Sequence, residues 1–261
     1  KAILESGQLG PIVSVHYRYS RTPLANDWRV SPEQAGGGRF YDLGCHVLDL
    51  LDDWFGPLIF SGGAAVNSSP SHSAEDAISL SFRTPGGAVG CGLWNFTAHR
   101  GAELLEIEGL WGKLSLACLD CWSPLTLELD SDKILEGKCL PPLQRRLRRL
   151  RGKKPCPKRV TRVHEFEPMK FPHRPMIEAI VAKLRRGNPG PGNGEAALRT
   201  AKLMDRVLDD YYGGRDNGFL RRPQSWRSLR AGACRRATEE ARAGLYKLSE
   251  QQLREFAERG Y

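Results

Sequence analysis

The sequence predicts an α+β domain: a mainly antiparallel open β-sheet with helices packed on one face. Three observations carry that prediction. From residue 58 to about 130, apolar and polar residues alternate with a period of two, the signature of half-buried strands. Gly, Pro or Asp turns separate these runs at short intervals, which leaves no room for crossover helices and makes the pairing mainly antiparallel. On both sides of this block the period lengthens to three or four, as in "GGGRFYDLGCHVLDLLDDWFG" and "GEAALRTAKLMDRVLDDYYGG", which is helical spacing.

Taken in order, "KAILESGQLG" (1–10) reads as the last turns of a helix stopped by glycine. "PIVSVHYRY" follows as a strand with Val13, Val15, Tyr17 and Tyr19 on one side and Ser14, His16 and Arg18 on the other. A loop carrying Trp28 and Arg29 leads to glycines 36–38 and then a helix. Strands follow in "DAISLSFRT", "GGAVGCGLWNFT", "AELLEIEG", "KLSLAC" and "PLTLELD". Two later helices are expected, one with Ile177, Ile180, Val181 and Leu184 as its stripe, the other with Leu198, Ala201, Met204, Val207 and Leu208. "NPGPGNG" between them breaks helices.

The helix behind the glycines has two faces. Leu43, Val47, Leu50, Leu51 and Trp54 form the core stripe, and Asp42, His46, Asp49 and Asp53 line the adjoining face. An imidazole with a carboxylate one turn away on each side can move protons near neutral pH. The bland reading makes His46 a structural histidine, Asp42 the helix N-cap, Asp49 an ordinary surface acid, and Asp52 and Asp53 solvated. The glycines permit a turn with positive φ and close approach of backbone to a ligand.

Charge is localised. Of the 39 basic residues, 11 fall between Lys138 and Arg162 with no acid among them; setting those aside leaves 28 against 30 acidic residues. The segment 138–162 is therefore a basic insert in a near-neutral body, read as a solvated insertion. Leu140, Leu143, Leu147 and Leu150 leave open a cationic helix for nucleic acid or an anionic membrane. Seven cysteines, an odd and scattered set, speak against a disulfide scaffold and for a reducing, cytoplasmic compartment. Cys118 and Cys121 form a CxxC without a second close-spaced pair, so no metal site is expected and the thiols read as buried or incidental. Residues 213–243 read as a linker. Residues 244–261 read as the start of a possible second domain, with Ser249 and Gln252 as a capping box.

The motif Gly36–Gly38, Asp42, Gly44, His46, Asp49, extended by "WRVSPEQ", "AEDAISLSF", "EIEGLWGKLSL" and "HRPMIEAIVAKLRRG", resembles the Gfo/Idh/MocA oxidoreductases. It is nearest to their dihydrodiol dehydrogenase and anhydrofructose reductase subgroup. The resemblance implies a substrate-binding and oligomerisation domain over 11–212, with 1–10 the end of a preceding Rossmann-domain helix. It implies His46 and Asp42 as catalytic residues, Asp49 near the substrate, and Trp28 and Arg29 near the nicotinamide of NAD or NADP. The substrate would be a carbohydrate, polyol or dihydrodiol, and the sheet would pair with a second copy. No G-x-G-x-x-G and no Glu-Lys-Pro occurs in the 261 residues, so the cofactor-binding Rossmann half is expected upstream and the chain alone is expected to be inactive. Residues 245–261 resemble the opening of phytanoyl-CoA dioxygenase-like proteins, which leaves a fusion with a downstream iron/2-oxoglutarate dioxygenase as an alternative. A catalytically silent interaction module with a basic arm for an acidic partner is the other.

Overall fold

The computed structural model describes residues 1–24, 27–69, 71–119, 123–130, 159–167, 170–171, 174–186 and 194–213. The linker, the possible second domain and most of the basic insert lie outside the described residues.

A short helix, α1 (Ala2–Glu5), leads into strand β1 (Ile12–Ser20). A single 3-10 turn (Trp28–Val30) and a one-turn helix α2 (Pro32–Ala35) precede α3 (Arg39–Phe55). Seven strands follow: β2 (Ile59–Val66), β3 (Ala77–Arg83), β4 (Val89–Asn95), β5 (Ala102–Gly109), β6 (Gly112–Leu116), β7 (Leu125–Asp130) and β8 (Arg159–His164). Helices α4 (Arg174–Arg186) and α5 (Gly194–Tyr212) close the order.

The strands form one sheet in the order β2-β3-β4-β1-β5-β6-β7-β8. Every pairing is antiparallel except β1 with β4, which run parallel with Ser14 opposite Val89 and His16 opposite Cys91. The exception has a local cause. The chain leaves β1 through α3, which crosses the sheet before β2, β3 and β4 return, and a crossover is what a parallel neighbour requires. The expected architecture of a mainly antiparallel sheet with helices on one face is the one observed.

Alternation decides which face is covered. Val15 and Tyr17 of β1, Ile78, Leu80 and Phe82 of β3, Trp94 of β4, Leu105 and Ile107 of β5 and Leu127 and Leu129 of β7 are buried. Against them pack Phe40, Val47, Leu48 and Leu51 of α3 and Leu203, Met204, Val207 and Leu208 of α5. The Phe40 and Trp94 rings meet edge to face at 4.8 Å, a geometry favoured by their quadrupoles. Leu9 is fully buried in this core, so the first ten residues pack onto the domain. The other face of the sheet exposes His16, Arg18, Cys91, Val89 and Leu93 among the described residues.

Several sequence expectations need correction. Val13 was placed on the inner face with Val15, yet it is exposed, because a register irregularity between Ile12 and Ser14 turns Ile12 inward instead. Leu43 and Leu50 of α3 are only half-buried, and Phe40 and Leu48 share its core face. Leu198 is exposed on α5. The stripe of α4 forms as a helix, but Ile177, Ile180 and Val181 stay exposed, so among the described residues α3 and α5 supply the helical layer. Arg159 and Arg162, assigned to the solvated insert, are residues of the edge strand β8, paired with Asp130 and Leu127 of β7. Cys118 is disulfide-bonded rather than a free thiol.

Candidate functional site

The glycine turn sets up the site. Gly36 ends α2 with φ +75°, the left-handed conformation that glycine adopts without steric cost. Gly38 is the N-cap of α3, so Asp42 lies inside the first turn and does not cap the helix through its side chain. The close approach expected at the glycines exists, but it is internal. The Gly38 N–H donates to both carboxylate oxygens of Glu75, at 2.9 and 2.8 Å. A Cβ on Gly38 would stand 2.5 Å from the Glu75 carbonyl oxygen. Tyr212 of α5 donates its hydroxyl to the same carboxylate. Burial first, and then the Glu75 charge, push the Tyr212 phenol well above its ordinary range. Neighbouring Asp76, equally buried, accepts from the Ser68 and Ser69 N–H groups at 2.8 and 2.7 Å.

On the outer side of the same turn stand the predicted residues. His46 is exposed on α3 and makes no hydrogen bond among the described residues. Asp42 Oδ2 accepts from Arg29 Nε at 2.6 Å, with both side chains more than a third exposed. The Arg29 guanidinium lies over the Trp28 ring at 4.7 Å, a cation–π contact. The structure thus brings Trp28, Arg29, Asp42 and His46 together through one helix and one 3-10 turn. Asp49 sits one turn beyond His46. Burial first, then the charges of Asp52 and Asp53, raise its carboxyl above the ordinary value.

Residues that sequence reasoning missed hold this arrangement in place. Asp27, almost fully buried, takes Arg39 Nη2 at 2.5 Å on one oxygen. It accepts the Arg29 backbone N–H at 3.3 Å on the other, and Arg29 Nη1 lies 3.5 Å away. Asp52 is not solvated, contrary to the sequence expectation. It is buried at 6%, and Arg199 of α5 donates to it through Nη2 at 2.6 Å and Nε at 3.3 Å. Asp53 is exposed but paired with Lys1 at 2.9 Å. The spacing within α3 could not show either partner, since Arg199 lies 147 residues away.

A cavity of about 520 Å³ opens beside the turn, with Asp27, Trp28, Gln34, Arg39, His72 and Asp76 in its wall. His46, Asp42 and Asp49 are not part of that wall; Trp28 is the element the two regions share. Burial lowers the His72 imidazole below its usual value.

Comparison with known proteins gives a consistent picture. Residues 1–115 match the family model described as the GFO/IDH/MocA C-terminal domain. Oxidoreductase P35 of Formosa agariphila is 24% identical over 213 residues, covering 78% of this chain and 56% of its own. Among solved structures, levoglucosan dehydrogenase in complex with NADH and levoglucosan superposes with a TM-score of 0.60 at 17% identity, over 80% of this chain and 60% of that one. KijD10, a 3-ketoreductase from Actinomadura kijaniata in complex with NADP and TDP-benzene, gives 0.57 at 16% identity, over 79% and 56%. The chain spans little more than half the length of these relatives. Residues 1–115, which carry the glycine turn, α3 and strands β1 to β5, are thus similar to the GFO/IDH/MocA C-terminal domain.

Proposed function

We propose that this chain is the substrate-binding and oligomerisation part of an NAD(P)-dependent oxidoreductase. The enzyme would move hydride to or from a sugar, polyol or dihydrodiol, with His46 taking or giving the hydroxyl proton. One observation carries the reading. A single helix presents an exposed imidazole one turn from Asp42, and Asp42 is joined at 2.6 Å to the Trp28–Arg29 element.

The chain's own groups suit that chemistry. His46 is solvent-facing, so a substrate hydroxyl can reach it, and an imidazole can both accept and donate a proton. Asp42 and Asp49 flank it, one turn away on either side of the same helix. Trp28, 54% exposed, offers a flat apolar surface beside a guanidinium. That pairing fits the nicotinamide end of the cofactor, with Trp28 against the ring and Arg29 toward a phosphate. The nicotinamide supplies the hydride acceptor or donor. Its pyrophosphate would rest on a Rossmann unit elsewhere in the whole protein, since no glycine-rich phosphate turn occurs in these 261 residues.

The relatives that act on sugar derivatives support the carbohydrate class. The subgroup resemblance rests on the Trp-Arg pair. The uncovered sheet face, with Val13, Val89 and Leu93 all more than 40% exposed, is the surface on which a second copy would pair. Among the described residues no helix is long and apolar enough to cross a membrane.

The test uses the whole protein that carries this chain, assayed with NADH, NADPH and their oxidised forms against a panel of sugars, polyols and dihydrodiols. Replacing His46 by Gln should lower kcat by about 10²- to 10⁴-fold with nicotinamide binding, followed by fluorescence, unchanged. An unaltered kcat sinks the assignment. Silence of the wild-type protein across the panel would favour the interaction-module reading.

A further inference from the structure

The hydride-transfer reading places its proton donor on α3 and gives no role to the cavity of about 520 Å³ beside the glycine turn. That volume lies within the roughly 300 to 1,000 Å³ of small-molecule sites. Three parts of the chain build the cavity: the segment 23–39 that runs into α3, the connection 71–76 between β2 and β3, and Phe96 beyond the end of β4.

Its wall holds polar groups with bonding capacity to spare. Arg39 is 5% exposed and spends one nitrogen, Nη2, on Asp27, whereas a guanidinium carries five N–H donors. The Asp27 side chain is 6% exposed, and its Oδ2 has the Arg39 charge at 2.5 Å but accepts no hydrogen bond. Asn67 Nδ2 donates to His72 Nδ1 at 3.3 Å, which puts the ring proton on Nε2, and no described residue accepts it. The exposed Gln34 amide, a donor and an acceptor, has no partner among the described residues. Buried polar groups short of partners are costly, and a ligand that supplies those partners relieves the cost.

The chemistry of the wall selects the ligand. Donors from Arg39, His72 and Gln34 share it with acceptors from Asp27, Asp76 and Gln34. Hydroxyl groups suit such a mixture, because each both donates and accepts. One guanidinium stands against three carboxylates, those of Asp27, Glu75 and Asp76, so the wall disfavours a phosphate or carboxylate. The Trp28 ring, 54% exposed, and the Phe96 ring add apolar surface for the C–H face of a sugar.

We infer that this cavity binds a neutral sugar unit, at a site separate from the one at which His46 acts.

The inference goes beyond the oxidoreductase reading and does not depend on it, so its test contains neither cofactor nor turnover. The 261-residue chain is titrated by calorimetry with glucose, galactose, mannose and their methyl glycosides, and with the 6-phosphate of whichever free sugar binds. At least one neutral sugar should bind with a Kd of about 1 mM or below. Gln34→Leu, at an exposed position, and His72→Phe should each weaken that binding about tenfold, as loss of one ligand hydrogen bond does. Thermal unfolding followed alongside shows that the fold stands, and Gln34→Leu alone decides if His72→Phe does not fold. The 6-phosphate should bind about tenfold more weakly than the parent sugar, and His46→Gln should leave the affinity unchanged. The inference is overturned by silence of every neutral sugar at tens of millimolar, by full affinity in Gln34→Leu, by equal affinity for the phosphate, or by loss of binding in His46→Gln.

Discussion

Glu75 and Asp42 are two carboxylates on opposite sides of one glycine turn, and their surroundings differ in nearly every respect. Glu75 is 1% exposed and accepts from the Gly38 N–H and the Tyr212 hydroxyl. Asp42 is 40% exposed and held by one guanidinium that itself faces solvent. A buried carboxylate with all its donors in place fixes backbone and loses much if one donor goes. An exposed one contributes little to stability and stays free to act on a neighbour. The comparison separates the group that builds the turn from the group that the turn presents.

The sharpest way to break that contrast is Glu75→Ala. It strips the Gly38 N–H and the buried Tyr212 hydroxyl of their acceptor, and should cost about 3 kcal/mol in urea unfolding, with His46 reactivity lost along with the fold. Next comes Tyr212→Phe, which removes one donor from a buried carboxylate. A loss of about 1 to 2 kcal/mol and a largely intact far-UV spectrum are expected. Asp42→Asn inverts the pattern. Unfolding should move by no more than about 0.5 kcal/mol, while turnover of the whole enzyme falls at least tenfold. If stability falls as far as it does for Glu75→Ala, the division between scaffold and site is wrong.

The smallest effect is at Asp49. Its folded pKa is raised, so the native state holds the proton to higher pH than the unfolded chain. The stability it contributes is present below the ordinary aspartate value and is lost as pH rises through the raised one. Asp49→Asn should therefore raise Tm at pH 7 by about 1 °C, with the gain vanishing below the ordinary aspartate range. A gain that persists under acid conditions would mean that charge is not its source.

What could be read in the sequence was whatever repeats locally. Alternation gave β3 to β7, and the stripe of α3 gave the helix and the exposed His46 beside it. The glycine triplet announced a tight turn but not what fills it, because Glu75 lies 37 residues on and Tyr212 another 137 beyond. Asp52 looked like its neighbour Asp53 until Arg199 came across from α5. Val13 followed a clean alternation that a bulge interrupts, and period alone cannot register an irregularity of one residue. The stripe of α4 shows the converse limit: a pattern can be correct for a helix and still find nothing to cover it among the described residues.

Asp27 grips Arg39 at the root of α3 and the backbone of Arg29 in the adjoining turn, so the indole-bearing segment is riveted to the helix and has no swivel of its own. Under the proposed function, a ring set against Trp28 would bear on the same piece of structure that carries the His46 imidazole, so that docking and proton transfer would share one frame.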